Sequence, residues 1–189
     1  MTRSIYCFAI LANCWLWMQA VHEFGHVLAA WLSGGRVRLA YLVPWDISRT
    51  DYVADQYELS IVWAGPIVGA ALPVTIWLAM RLLRSSHEPL AAFFAGFCLI
   101  ANGAYLGAAI LTPVGDAAEI LQLGGSLWML ALFGVICLPL GVWLWNGRGG
   151  YFGFGAGAQE VTPQAAAIAA GWLATTIFVE TLCYFALVA

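Results

Sequence analysis

Five long apolar runs separated by polar links organise the chain: Ile5–Leu32, Leu59–Leu83, Pro89–Leu111, Ser126–Trp145 and Pro163–Val188. Each meets the roughly 20 mostly apolar residues that a helix needs to cross a bilayer. Backbone in lipid must satisfy its own hydrogen bonds, and runs of this length suit helices rather than barrel strands. Tryptophans near run ends (Trp31, Trp128, Trp143, Trp145) fit an interfacial aromatic belt. The pattern predicts an all-α integral membrane protein with about five transmembrane helices.

The links differ in character. Ser33–Glu58 is the longest polar segment and holds four acids and three arginines. Its stretch RVRLAYLV alternates like a strand before Pro44, which predicts a small hairpin at the membrane surface between helices 1 and 2. Arg81–Glu88 reads as a short polar turn. Asn146–Thr162 is rich in glycine but lacks the lysine and the preceding strand of a phosphate-binding loop, so a flexible linker is expected. Arg3 ahead of an apolar run is like the start of a signal peptide. The run continues to Leu32, too long for such a leader, and is expected to be a retained helix. No internal repeat is visible.

Composition strengthens the membrane reading. Of 189 residues, 63% are hydrophobic and 9% charged, with a mean hydropathy of +0.86. Soluble domains carry about 25% charged residues. The length suits a single domain, 1–189, with a core at about 5–121 and additional helices at about 126–188. Net charge is −3 and all seven cations are arginines, without a basic run, so nucleic acid is not an expected partner. Arg3, Arg81, Arg84 and Arg148 fall on one side of the predicted bundle and Arg36, Arg38 and Arg49 on the other. That balance does not fix the orientation. None of the five cysteines forms a CxxC pair, and small buried apolar side chains are expected.

Chemistry concentrates in the first run. The stretch AVHEFGHVLAAWL, Ala20–Leu32, places His22, Glu23 and His26 within one and a half helical turns. Each is costly in hydrocarbon unless it has a partner. His22 and His26 are four apart and stack on one helix face, where two imidazoles can reach one zinc ion. Glu23, beside the first histidine, is placed to take a proton from water activated at the metal. This is the HExxH arrangement of zinc hydrolases. Two hydrogen-bonded structural histidines are the competing reading.

Catalytic zinc usually takes three protein ligands. Asp116, Glu119, Glu180 and His87 are the candidates for the third. His87 sits in a surface turn, and Glu180 lies in the fifth run, where it is expected either to gate water or substrate or to bond Asn13 or Gln19 across helices. Asp116 lies in LTPVGDAAEIL, where Pro113 and Gly115 break the third helix. Helices 1 and 3 cross in the same direction. The histidines lie in the C-terminal half of the first and Asp116 at the C-terminal end of the third, so all three can meet in one half of the bilayer. His26 precedes Leu32 by six residues, or about 9 Å of helix rise, so the site is expected to be submerged but not central.

HEFGH in the first helix, WAGPIVGA (Trp63–Ala70) in the second and TPVGD after the third together resemble the site-2 protease family of intramembrane zinc metalloproteases. The resemblance spans Trp17 to about Leu121. It implies a three-helix metalloprotease core, zinc held by His22, His26 and Asp116, and Glu23 as the catalytic base. It also implies membrane-protein or peptide substrates cleaved within the bilayer, and a hairpin in Ser33–Glu58 that helps to present them. The zinc would lie nearer the cytosolic face, with the N-terminus outside. The expected location is multi-pass in a bacterial inner (plasma) membrane.

The chain departs from the family pattern Asn-x-x-Pro-x-x-x-x-Asp-Gly at Ala108, Leu111 and Ala117. Asn102, further up the same helix, is the expected replacement for substrate or oxyanion support, with a helix–helix hydrogen bond as the alternative. Glu119 is expected either to orient a ligand or to be a solvated interfacial acid. Gly65, Pro66 and Gly69 are expected to allow close helix packing. The links leave no room for a PDZ-like domain, so substrate selection falls to helices and short loops. The leading expectation is an intramembrane zinc endopeptidase with one zinc per chain. The alternatives are a metal-binding transporter or scaffold without protease activity, and an inactive regulatory relative.

Overall fold

A computed structural model of the chain describes residues 1–54, 56–155 and 158–188. It is mostly helical, with a small two-stranded sheet. Helix α1 spans Thr2–Leu32, strands β1 and β2 span Arg36–Tyr41 and Arg49–Val53, and α2 spans Glu58–Leu82. Then follow α3 (Glu88–Ala108), α4 (Asp116–Gln122), α5 (Leu127–Trp145) and α6 (Pro163–Val188). Five of these helices, all but α4, are long and apolar enough to cross a membrane.

Local chemistry explains the boundaries. The Ser33 hydroxyl donates to the Ala29 carbonyl at the end of α1, and Gly34 turns the chain away at φ 75°, a conformation that glycine adopts without Cβ strain. Pro89 sits in the first turn of α3, where its missing N–H costs nothing. The β1–β2 hairpin is antiparallel, pairing Arg36 with Val53 and Tyr41 with Arg49, with an irregularity between Val37 and Leu39. The alternation in RVRLAYLV marks the first strand. The second was not resolved within the polar segment because its pattern, RTDYV, is polar.

Helices α1, α2 and α3 pack together, with α6 against α1 and α5 against α3. Small residues set the approach of α3 and α5. A Cβ on Gly107 would stand 3.2 Å from the Gly134 Cα, and one on Gly103 would stand 2.8 Å from the Cys137 Cβ. Interfaces of this kind depend on van der Waals packing at small residues rather than on apolar burial alone. Many large apolar side chains face outward, Phe8, Trp31, Trp128, Val135, Trp172 and Phe178 among them.

Two findings correct the sequence expectations. The third helix ends at Ala108, and Asp116 does not lie at its C-terminal end but opens the separate helix α4. Val62, Leu106, Ala117, Ile120 and Leu130 form a buried cluster that clamps α4 under α2, α3 and α5. The link Asn146–Thr162 is also not simply a flexible linker. Its residues Gly149–Phe152 form a 3-10 turn, Phe152 is buried against Phe93, and the Arg3 guanidinium donates to the Gly153 carbonyl. Arg148 forms a two-pronged pair with Glu88 at 3.0 and 3.1 Å, which the Trp77 indole also joins at 2.6 Å. Residues 156–157 of this link lie outside the described residues.

Candidate metal centre

Three acceptor atoms converge between α1 and α4. His22 Nε2 and His26 Nε2 are 3.2 Å apart, one helical turn separating their residues on the buried face of α1. Asp116 Oδ2 stands 2.8 Å from the first and 3.5 Å from the second. The opposite nitrogen of each ring is engaged elsewhere. His22 Nδ1 is 2.7 Å from Asn102 Oδ1, and His26 Nδ1 is 2.9 Å from the Ile61 carbonyl oxygen. Both partners accept only, so each Nδ1 carries the proton and donates. In the neutral form of each ring this tautomer turns the Nε2 lone pair toward the aspartate.

The donor set fits a cation. Two imidazole lone pairs and a carboxylate oxygen at these separations repel one another unless positive charge sits among them. One proton can bridge one edge of the triangle; a metal ion at its centre serves all three atoms. Zinc with nitrogen and oxygen ligands at ~2.0–2.2 Å places ligand atoms about 3.3–3.6 Å apart when tetrahedral. Edges of 3.2 and 3.5 Å have that scale, and the 2.8 Å His22–Asp116 edge is shorter, at hydrogen-bond length.

Glu23 joins the same centre. One carboxylate oxygen and a ring nitrogen of each histidine lie within 4.8 Å of one another. The Thr50 hydroxyl of β2 donates to Glu23 Oε2 at 2.8 Å, so the hairpin holds the glutamate. Glu23 and Asp116 are therefore the two carboxylates that reach the paired imidazoles, Asp116 at 2.8 and 3.5 Å.

The helix α2 makes room for this cluster. A Cβ on Gly65 would collide with the His26 imidazole and stand 2.8 Å from His22 Nε2, and one on Gly69 would stand 2.9 Å from Asn102 Oδ1. These glycines therefore serve helix packing at the place where it must accommodate the site's own side chains.

The other expected residues take different positions. Asn102 is 1% exposed; its Oδ1 faces His22 and its Nδ2 donates to the Cys98 carbonyl at 2.9 Å. The Oδ1 contact with His22 is the helix–helix hydrogen bond named as the alternative, and Cys98 takes one of the two amide N–H groups. Glu119 lines the cleft in front of the site, but among the described residues no hydrogen bond joins it to His22, His26 or Asp116. Its carboxyl is pushed up by partial burial and then by the Asp116 charge. His87 is exposed at the N-terminal end of α3, away from the cleft. Glu180 is buried on α6 with Oε2 unpartnered. The bond expected from it to Asn13 or Gln19 is absent among the described residues: Asn13 Nδ2 donates to the Ala9 and Ala169 carbonyls, and Gln19 Oε1 accepts from the Ser48 N–H.

Two contributors escaped sequence reasoning. Thr50 lies in the second strand of the hairpin. Tyr105 follows Asn102 by three and so shares its helix face, a spacing that could have indicated it. Its hydroxyl accepts the Asp116 N–H at 2.9 Å, and its ring stands edge-on to His22 with centroids 5.9 Å apart. The site opens into a cleft of about 1160 Å³ lined by α1, β2, α3 and α4. Tyr52, on its wall, has its hydroxyl pushed up to about 12 by burial and by the Glu119 and Glu58 charges.

The chain matches no protein-family model, no curated protein and no solved structure.

The orienting role of Asn102 is measurable. Partners of metal-bound histidines typically contribute 10–100-fold to metal affinity. Asn102→Ala is expected to weaken metal-ion binding by about that factor, read by competition with a chromogenic chelator.

Proposed function

We propose that this chain is a multi-pass membrane zinc endopeptidase of the site-2 protease type, cleaving peptide bonds of membrane-spanning substrates. The observation that carries the reading is the convergence of His22 Nε2, His26 Nε2 and Asp116 Oδ2 with the Glu23 carboxylate beside them. Five long apolar helices with outward-facing aromatic and aliphatic side chains support a bilayer location.

His22, His26 and Asp116 would hold one zinc, which when bound supplies Lewis acidity toward a carbonyl oxygen and toward water. Glu23 takes the proton of the attacking water as the new C–O bond forms. It returns that proton to the amide nitrogen as the C–N bond breaks. Thr50 fixes one carboxylate oxygen and leaves the other to exchange the proton. A helical carbonyl is hydrogen-bonded and shielded, so the substrate must unwind before attack. One edge of β2 pairs with β1 and Arg49–Tyr52 line the cleft, which gives an unwound segment a strand to lie against.

The test is to purify the protein, count its zinc by elemental analysis, and incubate it with single-span membrane proteins. One zinc per chain and a cut inside the span, mapped by mass spectrometry, are expected. Bound zinc with no cut in any span would favour a metal-binding protein without protease activity.

A further inference from the structure

Resting on that endopeptidase reading, we infer that Tyr105 is an oxyanion donor of the site. A hydroxyl has one proton and two acceptor lone pairs. Tyr105 uses a lone pair to accept the Asp116 N–H at 2.9 Å. Among the described residues no acceptor takes the hydroxyl's own proton. A phenol stays protonated at neutral pH, so that proton is available.

Its placement suits the task. Tyr105 lines the cleft together with His22, Glu23 and Asp116. The hydroxyl is pinned beside Asp116, whose Oδ2 stands 2.8 Å from His22 Nε2. Gly115, at φ 52°, makes the approach possible: a Cβ there would collide with the Tyr105 hydroxyl. The Asp116 N–H fixes the oxygen, the edge-on contact with His22 fixes the ring, and the remaining O–H is directed by what enters the cleft. Catalytic donors act when they are fixed in advance toward the atom where charge develops. As water adds to the scissile carbonyl, negative charge grows on its oxygen, and the Tyr105 O–H donates to it. When the C–N bond breaks and the carbonyl re-forms, the bond to Tyr105 weakens again and no proton is transferred.

The test is Tyr105→Phe, which removes the hydroxyl and keeps the ring against His22. Removing one oxyanion donor typically costs about 10²–10³ in kcat. The expected result is a fall of that size in kcat, with KM and zinc content unchanged. A phosphinic peptide, whose tetrahedral P–O⁻ stands for the oxyanion, should bind the variant more weakly by a similar factor. The product peptide should bind both proteins equally. Cleavage and phosphinate binding within about twofold of wild type would overturn the assignment while leaving the endopeptidase reading intact. Loss of zinc from Tyr105→Phe would overturn it too, since the hydroxyl would then serve Asp116 rather than the substrate. A zinc-loaded wild type that neither cleaves nor binds the phosphinate would remove the endopeptidase reading, and this inference with it.

Discussion

Glu23→Gln is expected to give a folded, zinc-loaded protein that no longer cleaves. Glutamine keeps the length of the side chain, and its amide oxygen can still accept from Thr50, which bonds Glu23 Oε2 at 2.8 Å in the wild type. It cannot take a proton from water. Losing a general base typically costs 10²–10⁴-fold in rate, and Glu23 is asked to return the proton as well, which places the loss toward the upper end. The proposed ligands are His22, His26 and Asp116, so zinc content should match the wild type. Elemental analysis and a time course on a single-span substrate read both quantities from one preparation. Undiminished cleavage would remove the hydrolytic mechanism and leave metal binding without protease activity.

Asp116→Asn should act on the opposite quantity. It removes the negative charge that meets two imidazole lone pairs and so weakens the metal site itself. Outer partners of metal ligands contribute 10–100-fold to affinity, and the loss of a ligand should exceed about 100-fold. Glu180→Gln should leave zinc affinity unchanged, because Glu180 sits on α6 and does not line the cleft. Chelator competition on the three proteins gives the comparison. Normal affinity in Asp116→Asn with a loss in Glu180→Gln would mean that α3, α4 and α6 are arranged otherwise around α1.

The helices were legible because apolar run length needs no knowledge of tertiary contacts: the five spans read from the sequence lie within about three residues of those in the fold. His22 and His26 were legible for a related reason. Their spacing is local, and one helix sets their geometry. Asp116 could be reached only through topology, by noting that the ends of helices 1 and 3 share a side. The separate helix α4 that carries it was missed, since a 7-residue helix held by Val62, Leu106 and Leu130 has no signature of its own. Asn102 was found with two readings open, and its bond to His22 is the helix–helix one, because which way an amide points depends on the neighbouring helix. Thr50 and Tyr105 reach the site across 27 and 11 residues of sequence, through contacts that no local pattern encodes. The glycine-rich link looked flexible by composition. Arg148, Phe152 and Arg3 tie it down through partners on other elements.

Zinc held by this chain is proposed to drive the cutting of membrane-spanning peptides. The most direct measurement follows cleavage of one single-span substrate by the purified protein before metal removal, after it, and after addition of one equivalent of zinc. Cleavage that disappears with the metal and returns with zinc is the predicted result. Cleavage that persists in the metal-free protein, or that never occurs in the zinc-loaded one, would contradict the account.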